Sequence, residues 1–66
     1  MLPENIAAVG GDQTSLYSVS DTIEYIQSIG HEVTDDEIMF HIGSWAFEDF
    51  DGEPYTLIDY ATGEAL

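Results

Sequence analysis

The sequence predicts a small α+β domain in which two short helices pack on one face of a three-stranded antiparallel sheet. Its 66 residues allow a single domain, residues 1–66. One stretch, 19–29, has apolar residues at helical spacing, and another, 55–60, is typical of a strand. A hydrophobic content of 44% with eight aromatic residues favours a folded chain despite the high charge.

The clearest helix lies within residues 18–30. Apolar side chains recur every three or four positions, so they form one stripe that must face a core. The stripe consists of Val19, Ile23, Ile26 and Ile29. Ser18 and Ser20 both suit the N-cap, and Gly30 suits the position after the C-cap. We expect the rest of the domain to pack around this helix.

Two short segments precede this helix. Residues 6–9 fit either a strand or one helical turn, and the Gly-Gly-Asp sequence at 10–12 is typical of a turn. Residues 14–18 contain enough β-forming side chains to predict a strand that leads into the helix.

A second helix is predicted after Thr34, because Thr34 and Glu37 have the spacing of a capping box. The following residues, 38–42, fit a short helix or an alternating strand, and the capping box favours the helix. In that helix Phe40 points away from the side that carries Ile38 and Ile42.

The C-terminal third is predicted to be β-rich. Residues 44–50 are expected to begin a β region, 51–54 to form a turn, and 55–60 to form the clearest strand of the chain. Odd-numbered side chains of that strand share one face and even-numbered side chains share the other. After a turn at 61–64, Ala65-Leu66 is expected to pair back as a short stub.

Charge is the most unusual property of the chain. It has fourteen Asp and Glu, no Lys or Arg, and a formal charge of −14. Self-repulsion of this size destabilises a compact state, which indicates a functional reason for retaining it. The absence of Cys, Lys and Arg disfavours nucleophilic triads and phosphate binding, so neither an enzyme nor a cofactor is expected. A generally solubilised or salt-adapted protein is an alternative explanation.

The acids concentrate in two stretches. The first acidic zone comprises Glu32, Asp35, Asp36 and Glu37, and the second acidic zone comprises Glu48, Asp49, Asp51 and Glu53. Asp21 and Glu24 of the first helix are candidates to join either of them, and complete the set of predicted partner-binding residues. These carboxylates are predicted to stand in for phosphates and to bind Arg and Lys of a DNA-binding groove.

The scale of the charge fits this interpretation. Duplex DNA carries one charge per ~1.7 Å, so fourteen charges correspond to about 24 Å of duplex. A chain of this length has a radius of gyration near ~11 Å and a diameter of roughly 28 Å.

Five aromatic residues are candidate anchors for such an interface if they are exposed. They are Tyr17, Tyr25, Trp45, Phe47 and Phe50, of which Trp45 is expected in the core. No metal site is predicted. Residues 48–53 fail the EF-hand pattern, and Glu37 with His41 supplies only two ligands, so His41 is expected to be structural or solvent-facing. Crowded carboxylates without bases are expected to have raised pKa values.

In size, acidity and mixed α+β pattern the whole chain resembles phage-encoded DNA-mimic inhibitors. That group includes anti-CRISPR proteins, anti-restriction proteins and uracil-DNA glycosylase inhibitors. The resemblance lies in composition, with no shared motif, so no family residues are transferred to this sequence. It implies an anti-CRISPR protein that blocks PAM or target-duplex binding by a CRISPR effector subunit in the cytoplasm of a bacterial host cell.

Further expectations concern partners. The chain itself is expected to bind neither nucleic acid nor a membrane, and a homodimer is a candidate assembly because no disulfide stabilises so small a core. Alternative functions are inhibition of another DNA-binding enzyme (a restriction enzyme or a uracil-DNA glycosylase), an acidic regulatory or antitoxin-like subunit, or a halophilic binding module.

Overall fold

Two helices and a three-stranded antiparallel sheet make up the domain, as the sequence predicts. The computed structural model describes all residues, Met1–Leu66. The elements in chain order are β1 (Asn5–Gly10), β2 (Gln13–Ser18), α1 (Val19–Ser28), α2 (Asp35–Asp49) and β3 (Thr56–Asp59). The sheet has the order β2-β1-β3, and the radius of gyration is 11.6 Å.

The central strand β1 is built from small and β-branched side chains because it is paired on both edges and its residues 6–8 are fully buried. Residues 6–9 therefore form a strand and not a helical turn. Ile6 and Ala8 face the helices, where they join the core, while Ala7 lies on the opposite face and is also fully buried. The register pairs Ile6 with Tyr17 of β2 and Asp59 of β3.

Helix α1 begins and ends where the sequence predicts. Ser18 is the N-cap, and its hydroxyl accepts a hydrogen bond from the Asp21 backbone N–H. Gly30 has φ +77°, the left-handed conformation that lets the chain leave the helix. Val19 and Ile26 are buried, whereas Ile29, the last residue of the predicted stripe, is exposed.

Helix α2 is longer than predicted. Thr34 caps it by accepting the Glu37 backbone N–H, and the helix then runs for 15 residues to Asp49. The predicted β region at 44–50 is therefore wrong. The buried side chains Ile38, Ile42 and Ala46 follow one another at intervals of four, so the apolar stripe of the helix continues past Gly43. This stripe favours a helix, although Trp45 and Phe47 are residues typical of strands.

Residues 51–54 connect α2 to β3 and are not a hairpin turn. Asp51 and Gly52 have positive φ angles of 51° and 82°, which reverse the chain after the helix. The strand that follows, β3, is shorter than predicted, but its alternation is confirmed: Leu57 packs against the core from the helix side. The C-terminal stub is confirmed as well, since Ala65 bridges to Ile58.

The core consists of two adjoining clusters between the helices and the sheet. The larger contains Ile6, Val19, Ile26, Ile38 and Ile42, and the smaller contains Ala8, Ala46 and Phe50. Each cluster joins β1 to α2, so α2 is fixed along its length. Neither helix has the length and apolar character needed to cross a membrane.

Glycine substitutions provide a test of this packing. A Cβ at Gly10 would clash with the Pro54 carbonyl oxygen and would lie 3.1 Å from Phe50 Cε2, so Gly10→Ala is expected to destabilise the fold by about 1–3 kcal/mol. Gly43 lies inside α2 with open space around it, and Gly43→Ala is expected to stabilise by ~0.5–1 kcal/mol. Urea denaturation measures both. A Gly10→Ala protein as stable as the wild type would contradict the packing of the acidic turn against β1.

Candidate functional site

The negative charge is distributed unevenly between the layers of the fold. Strands β1 and β2 contain no acidic residue and β3 contains one, Asp59, so the other thirteen acids lie in the helices and connections. The outer face of the sheet has no carboxylate. Its strand residues are Asn5, Ala7, Val9, Thr14, Leu16, Ser18, Thr56 and Ile58.

The two acidic zones lie at opposite ends of α2. A helical rise of ~1.5 Å per residue separates Glu37 from Glu48 by about 17 Å along the axis. The longest dimension of the Cα trace is 35 Å, so fourteen charges correspond to one charge per 2.5 Å. This density is about two thirds of that of duplex DNA, which has one charge per ~1.7 Å.

The first acidic zone contacts the terminal amine and both histidines, the only groups of the chain that lie within ion-pair distance of a carboxylate. The α-amino group of Met1 lies 4.0 Å from the Asp35 carboxylate. One oxygen of Glu37, Oε1, lies 2.8 Å from Nδ1 of His31 and 3.1 Å from Nε2 of His41. The hydrogen bonds from His31 and His41 lower the pKa of Glu37, which is opposite to the direction expected for crowded carboxylates. The other two acids of this zone, Glu32 and Asp36, are exposed to solvent.

The second acidic zone has no cationic group within ion-pair distance. Glu48 and Asp49 end α2, and Asp51 and Glu53 follow in the turn. The C-terminal end of a helix carries a partial negative charge, so the helix dipole adds to these carboxylates. The structure therefore ranks the two zones, which the sequence left equal: the second acidic zone is the more strongly anionic.

Asp49 is held in place by two neutral donors from β2. The Tyr17 hydroxyl donates to the Asp49 carboxylate, and the Gln13 side-chain amide donates to the Asp49 carbonyl oxygen at 2.9 Å. Burial of the Tyr17 hydroxyl, together with its hydrogen bond to Asp49, raises the pKa of Tyr17 to about 12. These contacts fix the last turn of α2 against the sheet.

Asp12 lies beside the second acidic zone, although the sequence does not predict this position. The β1–β2 turn brings Asp12 to the end of the sheet where α2 also ends, and Asp12 and Glu53 line the same open cavity of about 490 Å³. The pairing of Gly10 with Gln13 forms the β1–β2 turn that carries Asp12. The sequence alone does not show that this turn lies beside the turn at 51–54.

An exposed aromatic stripe connects the two zones. Phe40 and Phe47 are 68% and 62% exposed and lie seven residues apart, which places them on the same side of α2. Phe47 also lines an open depression of about 410 Å³ together with Glu48, Asp51 and Gly52. Phe47 is therefore an exposed apolar contact next to carboxylates.

The other candidate anchors differ in exposure. Phe50 is 3% exposed in the smaller core cluster, so its predicted role as an anchor is wrong. Trp45, which is expected in the core, is only half-buried and packs against the larger cluster. Tyr17, on β2, is half-buried and its ring stacks with that of Trp45 on α2. Tyr25 is exposed and meets Trp45 edge-on.

Asp21 and Glu24 are exposed on α1, as predicted. The residues of each acidic zone are neighbours in the sequence at one end of α2, whereas Asp21 and Glu24 lie on the other helix.

No protein-family model matches the chain, and comparisons with curated proteins and with solved structures found no similar protein.

The raised pKa of Tyr17 predicts a specific loss of stability at alkaline pH. Because the folded-state pKa of about 12 exceeds the ordinary value of 10.0, the contribution of Tyr17 is complete below pH 10 and is lost between pH 10 and 12. We expect the free energy of unfolding, measured with urea, to fall across this window. The fall should be smaller in Tyr17→Phe and unchanged in Tyr60→Phe, which alters an exposed tyrosine. Equal falls in both variants would contradict this role of Tyr17.

Proposed function

We propose that this chain is a DNA-mimic inhibitor that occupies the basic DNA-binding surface of another protein, with the PAM or target-duplex surface of a CRISPR effector as the first candidate. The observation that carries the proposal is the second acidic zone: four carboxylates at the negative end of α2, beside an exposed phenylalanine and without an opposing cation. A surface that binds DNA phosphates offers the Arg and Lys side chains that such an array attracts.

The chemistry of the depression around Phe47 suits arginine. A guanidinium group can donate two hydrogen bonds to a carboxylate and can stack on an aromatic ring. Glu48 and Asp51 provide carboxylates and Phe47 provides the ring, all lining one depression. An arginine that normally binds a phosphate would be held there by charge, geometry and apolar contact.

The uneven distribution of charge also favours a mimic over a salt-adapted protein. A domain that uses acids only for hydration has no need to leave one face free of them, whereas the outer face of this sheet has none. An acidic regulatory or antitoxin-like subunit remains a second candidate, since it too would present a one-sided anionic surface to a partner.

Capture from a bacterial lysate on the immobilised full chain, with elution by increasing NaCl, tests the proposal. We expect a DNA-binding protein to be retained at low salt. Its affinity should fall by on the order of tenfold or more between about 0.1 and 0.5 M NaCl, because exposed charges are screened. Duplex DNA should compete for the retained protein, and the chain should not itself bind that DNA.

The outcomes separate the alternatives. Retention of a CRISPR effector subunit supports the first candidate, while a restriction enzyme or a uracil-DNA glycosylase supports inhibition of another DNA-binding enzyme. Retention that neither salt nor DNA reduces contradicts the mimic proposal. A chain that circular dichroism shows to fold only in molar salt is instead halophilic.

Charge-matched double variants test the ranking of the acidic zones. Each variant removes two negative charges: Glu48→Gln with Glu53→Gln in the second acidic zone, Asp35→Asn with Asp36→Asn in the first, and Glu4→Gln with Glu64→Gln outside both. We expect the variant of the second acidic zone to weaken binding of the captured protein about tenfold or more. The variant of the first acidic zone should weaken binding less, and the variant outside both zones should weaken it least. Equal losses in all three would show that only net charge matters, and would contradict a localised site.

Phe47 provides a test that does not change the charge. Phe47→Ala is expected to lower the affinity for the captured protein about tenfold, because it removes the apolar contact beside Glu48 and Asp51. Phe40→Ala is the matched control, since it removes an equally exposed phenylalanine from the same helix, next to the first acidic zone. Calorimetry measures both affinities. A larger loss in Phe40→Ala would move the site to the other end of α2.

A further inference from the structure

The connection between α1 and α2 brings together three side chains that are separate in the sequence. His31 follows Gly30 after the end of α1, and Glu37 and His41 lie one turn apart on α2. The nearest ligand atoms of the three residues all lie within 4.8 Å of one another. From the sequence alone, Glu37 and His41 supply only two ligands, which are too few for a metal site. The fold adds His31 as a third ligand.

We propose that His31, Glu37 and His41 form a binding site for a divalent transition-metal ion, with Zn²⁺ as the preferred ion. Two imidazole nitrogens and one carboxylate oxygen are a ligand set that zinc uses in proteins, with a fourth position left for water. The ligand atoms of a tetrahedral zinc ion lie ~3.3 Å apart, given bond lengths of about 2.0–2.1 Å. Glu37 Oε1 lies 2.8 Å from Nδ1 of His31 and 3.1 Å from Nε2 of His41, and all three ligand atoms lie within 4.8 Å of one another. Side-chain rotation that brings the two imidazole nitrogens closer, by at most about 1.5 Å, would complete the geometry.

The surroundings of the site are suited to a cation. His41 is 14% exposed at its side chain and contacts the rings of Tyr25, Phe40 and Trp45, which limit its movement. His31 is 57% exposed, so an ion can enter from solvent on that side. The chain has no Lys or Arg to compete for Glu37, and its net charge of −14 attracts cations.

Metal binding changes how the three groups are joined. The two imidazoles take the tautomers that leave Nδ1 of His31 and Nε2 of His41 unprotonated, and the ion replaces the hydrogen bonds that now converge on Glu37 Oε1. Because His31 lies before α2 and the other two ligands lie on it, the ion would tie the helix connection to the first turns of α2. This inference does not depend on the proposed function.

Calorimetric titration of the full chain with ZnCl₂ tests the site. We expect one Zn²⁺ per chain, and at least about tenfold weaker binding in His31→Ala and in His41→Gln. Glu32→Gln and Asp35→Asn are the controls, because they remove neighbouring negative charge without removing a ligand, and they should change the affinity less than threefold by the same reasoning. Mg²⁺ and Ca²⁺, which prefer oxygen ligands, should bind more weakly than Zn²⁺.

Two further measurements keep the test decisive. Zn²⁺ should raise the thermal unfolding temperature of the wild type but not that of His31→Ala, whose substitution lies in an exposed connection and leaves the core intact. Co²⁺, used as a probe, should give the visible absorption spectrum of four-coordinate cobalt. Zinc affinity that is unchanged in both histidine variants, or that falls equally in the two control variants, would overturn the proposal.

Discussion

The absence of lysine and arginine is the constraint on which the rest of this structure depends. Helix C-termini and surface carboxylates are commonly stabilised by basic side chains, and here none exists. Neutral donors take this role at the end of α2, where Tyr17 and Gln13 donate to Asp49. Asp59 in turn accepts the backbone N–H of Ala61. The histidines and the terminal amine serve only the opposite end of α2.

Helix α2 connects the stability of the fold with its surface chemistry. Its buried side, from Ile38 to Ala46, packs against both core clusters, while its exposed side presents the aromatic stripe between the two acidic zones. The packing of Phe50 and Gly10 at one end holds the acidic turn against β1. A single helix thus fixes the separation of the zones, and the core residues that anchor it determine where the charges lie.

Local signals in the sequence were sufficient to predict the fold class, α1 and the strand alternation of β3. Ser18, Thr34 and Gly30 mark helix ends through short-range hydrogen bonds and backbone preferences, which sequence analysis can recognise. The extent of α2 was missed because Trp45 and Phe47 favour strands locally, whereas burial of Ala46 against Ala8 and Phe50 decides the outcome. The spacing of Ile38, Ile42 and Ala46 at intervals of four is present in the sequence, whereas the packing of Ala46 against Ala8 is long-range and is not.

The composition of the acidic zones was also predicted, but their relative strength was not. The sequence gives no indication that His31 approaches Glu37, or that Asp12 lies beside Glu53, because both proximities arise from chain reversals. Consequently the partial neutralisation of one zone and the enlargement of the other became visible only in three dimensions. Exposure of Phe47 and burial of Phe50, three residues apart on the same chain segment, likewise depend on which side of α2 meets the sheet.

The neutral donors at the end of α2 have a consequence for the response to ionic strength. Dissolved ions screen repulsion between the fourteen carboxylates, whereas they hardly affect hydrogen bonds from Tyr17 and Gln13. The ion pair between the terminal amine and Asp35 is exposed and contributes little. Added salt therefore weakens the repulsion that opposes folding and leaves the hydrogen bonds that hold the end of α2 largely intact.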